Sequence, residues 1–221
     1  MSLQFKPLHK VFAAEANGID ITKPLQESDV RAINTGMNQH AVLVFRGQVL
    51  SAQQQLDFSK SFGPLDTGLK RVFKRPERLE DERLIDISNV DVHGNVAKRD
   101  SPKNLSNFAN QLWHSDSSFM NPRAAYSMLH CLVKPSWGRN TEFADLRNAY
   151  DTLDARTLSE IKDLEAEHFA LHTRILLGDE AYTDDQKKEI PPAVWPLVNT
   201  HSGSGRKVLF TGVHARQIIG W

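Results

Sequence analysis

Residues 113–116 read Trp113-His114-Ser115-Asp116, and this tetrapeptide constrains the chain more than any other feature. An imidazole nitrogen and a carboxylate oxygen two residues apart fall on one face of an extended backbone, where both can reach a single ion. One more histidine from elsewhere in the fold would complete a face of two histidines and one carboxylate, leaving coordination positions open for other ligands. The spacing alone is weak evidence. With nine histidines in 221 residues, one His-x-Asp pair is close to the chance expectation. The competing reading is a strand-end histidine hydrogen-bonded to its neighbour, and the surrounding sequence has to decide between them.

Composition excludes several classes. Lys+Arg and Asp+Glu both total 27, so no net field draws nucleic acid or an anionic membrane. Hydrophobic residues make up 40%, enough for a sizeable core in one large domain or two small ones. The single cysteine, Cys131, cannot form an internal disulfide. It sits in the apolar run 124–133, where a buried, reduced thiol is expected. The N-terminus lacks a signal-peptide core, and no run approaches the roughly eighteen apolar residues of a membrane span, so a soluble cytoplasmic protein is expected. No Gly-x-Gly-x-x-Gly, P-loop or Gly-x-Ser-x-Gly word occurs, which leaves nucleotide binding and serine hydrolysis without support.

Helical and strand signals alternate without repeats. Ser28 is placed to cap a helix over 29–39, with Val30, Ile33 and Met37 on one face. Residues 41–45 read as a buried strand. Ser51 and Gln54 form a capping-box pattern opening a helix that carries Leu56 and Phe58 and stops at Gly63-Pro64. Residues 84–87 and 126–133 look like strands, and apolar residues recur at helical spacing between 145 and 169. Residues 195–201 and 206–212, joined by Ser202 to Gly205, read as a β-hairpin. The expected class is mainly β, an antiparallel core with helical insertions.

Many separated stretches, in one register across the chain, resemble the taurine and 2,4-dichlorophenoxyacetate dioxygenase family, which uses Fe(II) and 2-oxoglutarate. They include Val42 to Gly47, Phe62 to Leu65, Asp86 to Val90, Asn107 to Phe119, Thr141 to Arg147, Ala166 to His168, Trp195 to Val198 and Gly203 to Lys207. The stretch Asn107 to Phe119 and the run His201 to Lys207 are similar to the phenoxyacetate-cleaving branch. The resemblance implies a double-stranded β-helix (jelly roll) and Fe(II) held by His114 and Asp116. It implies Thr141 as the hydroxyl on the distal carboxylate of 2-oxoglutarate. His214 matches a histidine that holds the substrate carboxylate, His201 another active-site histidine, and Asn110 a position near substrate and metal-bound ligand. The implied activity hydroxylates an aryloxyalkanoate beside its ether oxygen, giving a phenol, glyoxylate, succinate and CO2. The other substrate class is a sulfonate such as taurine.

Family members continue past Trp221 with strands that bear a second histidine ligand and a 2-oxoglutarate-binding arginine. Residues 1–221 are therefore expected to form a single catalytic domain lacking its last strands, with exposed edges and marginal stability. A truncated, non-catalytic chain is the reading from a different class. His201 and His214 are the candidates to substitute as third ligand, but both match positions with other roles. Expected partners are a small carboxylate substrate and O2, with no nucleic acid, no membrane, and a homo-oligomer in keeping with the family. Lys70, Arg71, Lys74 and Arg75 read either as a patch steering an anion or as a solvated loop. Trp113, on the opposite face from His114, is expected to pack in the core, and His168 and His172 are taken as structural.

Overall fold

The computed structural model describes residues 3–72, 78–99, 101–138, 140–178 and 182–221. In chain order the elements are β1 (Gln4–Pro7), β2 (Ala14–Asn17), α1 (Glu27–His40), β3 (Leu43–Val44), α2 (Ala52–Lys60), a 3-10 turn (Gly68–Arg71) and α3 (Pro102–Ala109). There follow α4 (Leu146–Asp151), α5 (Ala155–Ile161), β4 (Glu165–His168), α6 (His172–Leu176), α7 (Asp184–Glu189), β5 (Ala193–Pro196), β6 (Val198–Thr200), β7 (Lys207–Leu209) and β8 (Ala215–Ile218). The strands form sheets ordered β1-β2-β3 and β5-β4-β8, and a ribbon of β6 with β7. Among the described residues no helix is long and apolar enough to cross a membrane. Lys74 and Arg75 of the basic cluster lie outside the described residues, as do the side chains of Lys70 and Arg71.

The described residues fall into two units. The first comprises Met1–Leu65, Met128–Asp154 and Thr200–Leu209. Here β1 and β2 pair antiparallel with Gln4 opposite Asn17, and β3 lies parallel to β2 with Ala14 opposite Leu43. The ring of Phe5 fills the place where a Cβ on Gly36 would stand, 2.5 Å from its Cζ, so α1 approaches β1 only because residue 36 has no side chain. The α1 helix starts ahead of the expected Ser28 cap. Gln26 is the cap, because the Asp29 carboxylate reaches back to accept its backbone N–H at 3.4 Å. The Ser51–Gln54 capping box forms as expected, with Gln54 N–H on Ser51 Oγ at 3.2 Å and Ser51 N–H on Gln54 Oε1 at 2.8 Å.

The strand expected over 41–45 shrinks to Leu43–Val44. Ala41 ends α1 at φ +62°, a left-handed cap that strand geometry does not allow. Residues 84–87 and 126–133 form no strand either. Their sequence suits a pleated surface, but no described strand offers them a ladder, and a strand without a partner does not persist. Ile85, Ile87, Leu129, Leu132 and Val133 are accordingly exposed, and Cys131 is exposed rather than buried.

The strongest polar contact in this unit is buried. Arg147 and Asp145 have side chains 5% and 3% exposed. Arg147 Nε and Nη2 donate to the two carboxylate oxygens at 2.9 Å each, and Nη1 donates to the Asn38 carbonyl at 2.8 Å. Asp145 also caps α4 by accepting the Arg147 backbone N–H. The pair therefore ties the start of α4 to the last turn of α1. The β6–β7 ribbon turns through His201 N–H on the Arg206 carbonyl at 2.9 Å, with Gly205 at φ +68°.

The second unit comprises Asp66–Ser127, Ala155–Asn199 and Phe210–Trp221. Its sheet is antiparallel, with β4 between β5 and β8 and Ala166 opposite both Trp195 and Ile218. The helical reading of 145–169 breaks at its end. In Glu165–His168 a period of two takes over, with Ala166 and His168 buried and Glu165 facing solvent. Trp195 belongs to this sheet and not to the hairpin assigned to it from sequence. Phe169, Ala170 and Leu171 cluster with Tyr182 and Ile190, and Leu69, Val72 and Phe119 pack against them.

Removing one partner of a desolvated ion pair strands the other charge. Arg147→Met is expected to destabilise the fold by about 3–5 kcal/mol, and Arg147→Lys to recover little because it lacks the planar fork. Urea denaturation of the two variants checks this.

Candidate functional site

The site is built on the second unit. His114 and Asp116 do not lie on a ladder strand. Residues 113–115 are irregular and Asp116 opens a turn in which Ser117 takes φ +56°. The two side chains still converge, with His114 Nε2 3.2 Å from Asp116 Oδ1 and the side chains 25% and 58% exposed, so a ligand can reach both. His114 Nδ1 lies 2.6 Å from the Leu112 carbonyl. That carbonyl can only accept, so it fixes the proton on Nδ1 and leaves Nε2 to face the carboxylate.

Charge follows from this geometry. The Asp116 hydrogen bond raises the His114 pKa above its ordinary 6.5, against partial burial. The Asp116 carboxyl is held below its usual range by His114 first, while burial opposes the shift and the Ser127 hydroxyl assists it. The nitrogen and the oxygen face each other across the place that a divalent ion would take. The Nδ1–carbonyl contact is the support that metal-ligating histidines commonly have. This donor pair fits a metal. A third donor is absent from the arrangement: among the described residues no three His, Cys, Asp or Glu side chains are grouped to hold one.

His214 comes to the same place in another role. Its ring meets His114 edge-on at 5.8 Å and Phe119 at 5.0 Å. Its carbonyl accepts Phe169 N–H at 2.9 Å, which anchors it at the mouth of the β4–β8 pair. Burial, followed by the charges of His114 and His168, pushes its pKa down to about 4, so it is neutral at pH 7. Backbone approach here is close. Val213 N–H donates to the Trp113 carbonyl at 2.9 Å, and a Cβ on Gly212 would stand 3.3 Å from His114 Cα. The lack of a side chain at Gly212 eases the approach of this segment to His114.

The remaining assigned residues sit within their own units. Asn110 is exposed just after α3. Thr141, in the first unit, is exposed ahead of the Asp145 cap. His201, also in the first unit, closes the β6–β7 turn by accepting Ser204 N–H at 3.2 Å, with Ser204 Oγ 2.9 Å from the same nitrogen. Trp113, expected in the core, is 59% exposed, because its segment is not a strand with an inner face. Sequence reasoning passed over Ser127 and took His168 as structural. His168 is 1% exposed and stacked on Phe210 at 5.2 Å, and neither ring nitrogen has a partner among the described residues. The alternation of 165–168 was the signal that placed it inward.

A family profile described as taurine catabolism dioxygenase TauD, TfdA family matches residues 4–221. The alpha-ketoglutarate-dependent 2,4-dichlorophenoxyacetate dioxygenase of Cupriavidus pinatubonensis is 51% identical over all of this chain and 77% of its own length. The (S)-phenoxypropionate/alpha-ketoglutarate-dioxygenase of Delftia acidovorans is 31% identical over 99% of this chain and 74% of its own. The crystal structure of AAD-2 in complex with Mn(II) and N-oxalylglycine superposes with a TM-score of 0.92 at 37% identity, covering all of this chain and 77% of that one. The chain spans about three quarters of these relatives.

His214 titrates near pH 4 when folded and near 6.5 when unfolded, so the unfolded chain takes up the proton first. Its contribution is whole above pH 6.5 and is lost as pH falls towards 4. Lowering the pH from 7 to 4.5 is expected to cost roughly 2–3 kcal/mol through this group. His214→Phe should flatten that share of the decline in urea midpoints.

Proposed function

The chain belongs to the taurine catabolism dioxygenase TauD/TfdA family, and on that premise we propose that it is an Fe(II)- and 2-oxoglutarate-dependent dioxygenase of aryloxyalkanoates. The observation that carries the substrate class is the 51% identity, over the whole chain, to a 2,4-dichlorophenoxyacetate dioxygenase. The reaction hydroxylates the carbon beside the ether oxygen. The hemiacetal formed collapses to a phenol and glyoxylate, while 2-oxoglutarate yields succinate and CO2. Residues 1–221 are read as one catalytic domain of jelly-roll type in a cytoplasmic enzyme.

His114 and Asp116 would hold the iron, which when bound would supply activation of dioxygen at the expense of the 2-oxo acid. Everything else is positioning. Leu112 and Ser127 orient the two ligands. The Thr141 hydroxyl takes the distal carboxylate of 2-oxoglutarate. His214, kept neutral until an anion approaches, takes the substrate carboxylate, and His201 and Asn110 border the bound acids. An aryloxyacetate has one carbon between its carboxylate and its ether oxygen. A ring that grips the carboxylate in edge contact with His114 therefore also fixes the carbon to be oxidised.

Succinate release with 2,4-dichlorophenoxyacetate and with taurine, in the presence of Fe(II), tests this reading. Release driven by the aryloxy acid supports it. Release driven by taurine alone favours a sulfonate substrate, and none with either favours a non-catalytic chain. His214→Ala is expected to raise KM for the aryloxy acid by about 10- to 100-fold, the worth of a charge-assisted hydrogen bond, with a smaller change in kcat.

A further inference from the structure

We propose that Trp195 is a positioning residue for Asp116, holding through its indole N–H the turn that aims the carboxylate at the metal. This rests on reading His114 and Asp116 as metal ligands.

The turn that begins at Asp116 is not one the chain adopts on its own. Ser117 sits at φ +56°, where a residue with a side chain is sparsely populated, and such a conformation persists only when its surroundings over-determine it. Inside the turn, Met120 N–H reaches the Ser117 carbonyl at 3.0 Å, and Ser118 N–H reaches the Ser115 carbonyl at a long 3.4 Å. The Ser118 residue is 2% exposed, so water cannot satisfy its carbonyl. Trp195 Nε1–H does so, at 2.8 Å.

Trp195 is itself well fixed. It lies on β5 opposite Ala166, its ring meets Phe210 edge-on at 6.5 Å, and the Arg123 guanidinium lies 5.1 Å from the ring centre. The other end of the segment is held by Val213 N–H on the Trp113 carbonyl at 2.9 Å. His114 and Asp116 are thus held between Trp195 on β5 and the segment that leads into β8. Loss of the indole N–H leaves a buried carbonyl unsatisfied and lets Ser117 relax towards an ordinary φ. Asp116 then swings away from His114 Nε2, although Asp116 is touched by nothing that was changed.

The test compares the parent chain with Trp195→Phe, Phe210→Leu and Asp116→Ala. Each, once shown folded by circular dichroism, is titrated with Mn(II) in the presence of 2-oxoglutarate and followed by electron paramagnetic resonance. Amide exchange of the peptide covering 113–120 is measured alongside without metal. Benzothienylalanine at 195, which keeps the bicyclic shape and lacks the N–H, stands in if the phenylalanine variant does not fold. Trp195→Phe is expected to weaken Mn(II) binding by about three- to tenfold, the worth of one hydrogen bond, and to speed exchange in the 113–120 peptide. Phe210→Leu, which removes ring packing and keeps the N–H, should leave both near the parent. Unchanged Mn(II) affinity and exchange in Trp195→Phe overturn the inference, as does an equal loss in Phe210→Leu, which would make Trp195 merely part of the packing. If Asp116→Ala binds Mn(II) as the parent does, or the parent binds none, the metal reading itself fails and this inference with it.

Discussion

Two converging side chains, His114 and Asp116, stand on an irregular backbone and have to be held from outside it. No ladder runs through residues 113–116, so the convergence of His114 and Asp116 depends on single hydrogen bonds, some local and some to elements far away in sequence. Val213 and Trp195 take the two ends of the segment, Leu112 sets the imidazole, and Ser127 sets the carboxylate. Trp195 lies in the sheet β5-β4-β8, and Val213 two residues ahead of its strand β8. The absence of a side chain at Gly212 eases the approach.

Local chemistry was the legible part of the sequence. The Ser51–Gln54 box, the turn at Ser202 to Gly205 and the His-x-Asp spacing each depend on residues within a few positions of one another, and each appears in the structure. What the sequence hid depends on long-range pairing. Residues 84–87 and 126–133 have strand composition and no ladder, since a strand exists only beside another. That missing pairing also brings Cys131 to the surface. Glu165–His168 joined a helical pattern on paper, yet β5 and β8 on either side of it impose a period of two. The carboxylate's Ser127 partner and the Trp195 bond to Ser118 span eleven and 77 residues, and no local pattern announces either.

The electrostatics suit a site that receives a cation and an anion in turn. The hydrogen bond between His114 and Asp116 raises the pKa of the first and lowers that of the second. His214, on the edge of the same imidazole, is driven neutral by burial and by its cationic neighbours. An incoming carboxylate reverses that balance, since an anion at its ring favours the charged form. A neutral imidazole at this place is therefore able to respond to an anion.

The most direct measurement is an anaerobic titration of the 221-residue chain with Fe(II) and 2-oxoglutarate, following the weak visible charge-transfer band of the chelate. A band that forms with the parent and vanishes in His114→Ala is the expected result, and means that the His114–Asp116 pair holds the metal. No band from folded parent protein, or a band that survives His114→Ala, contradicts it.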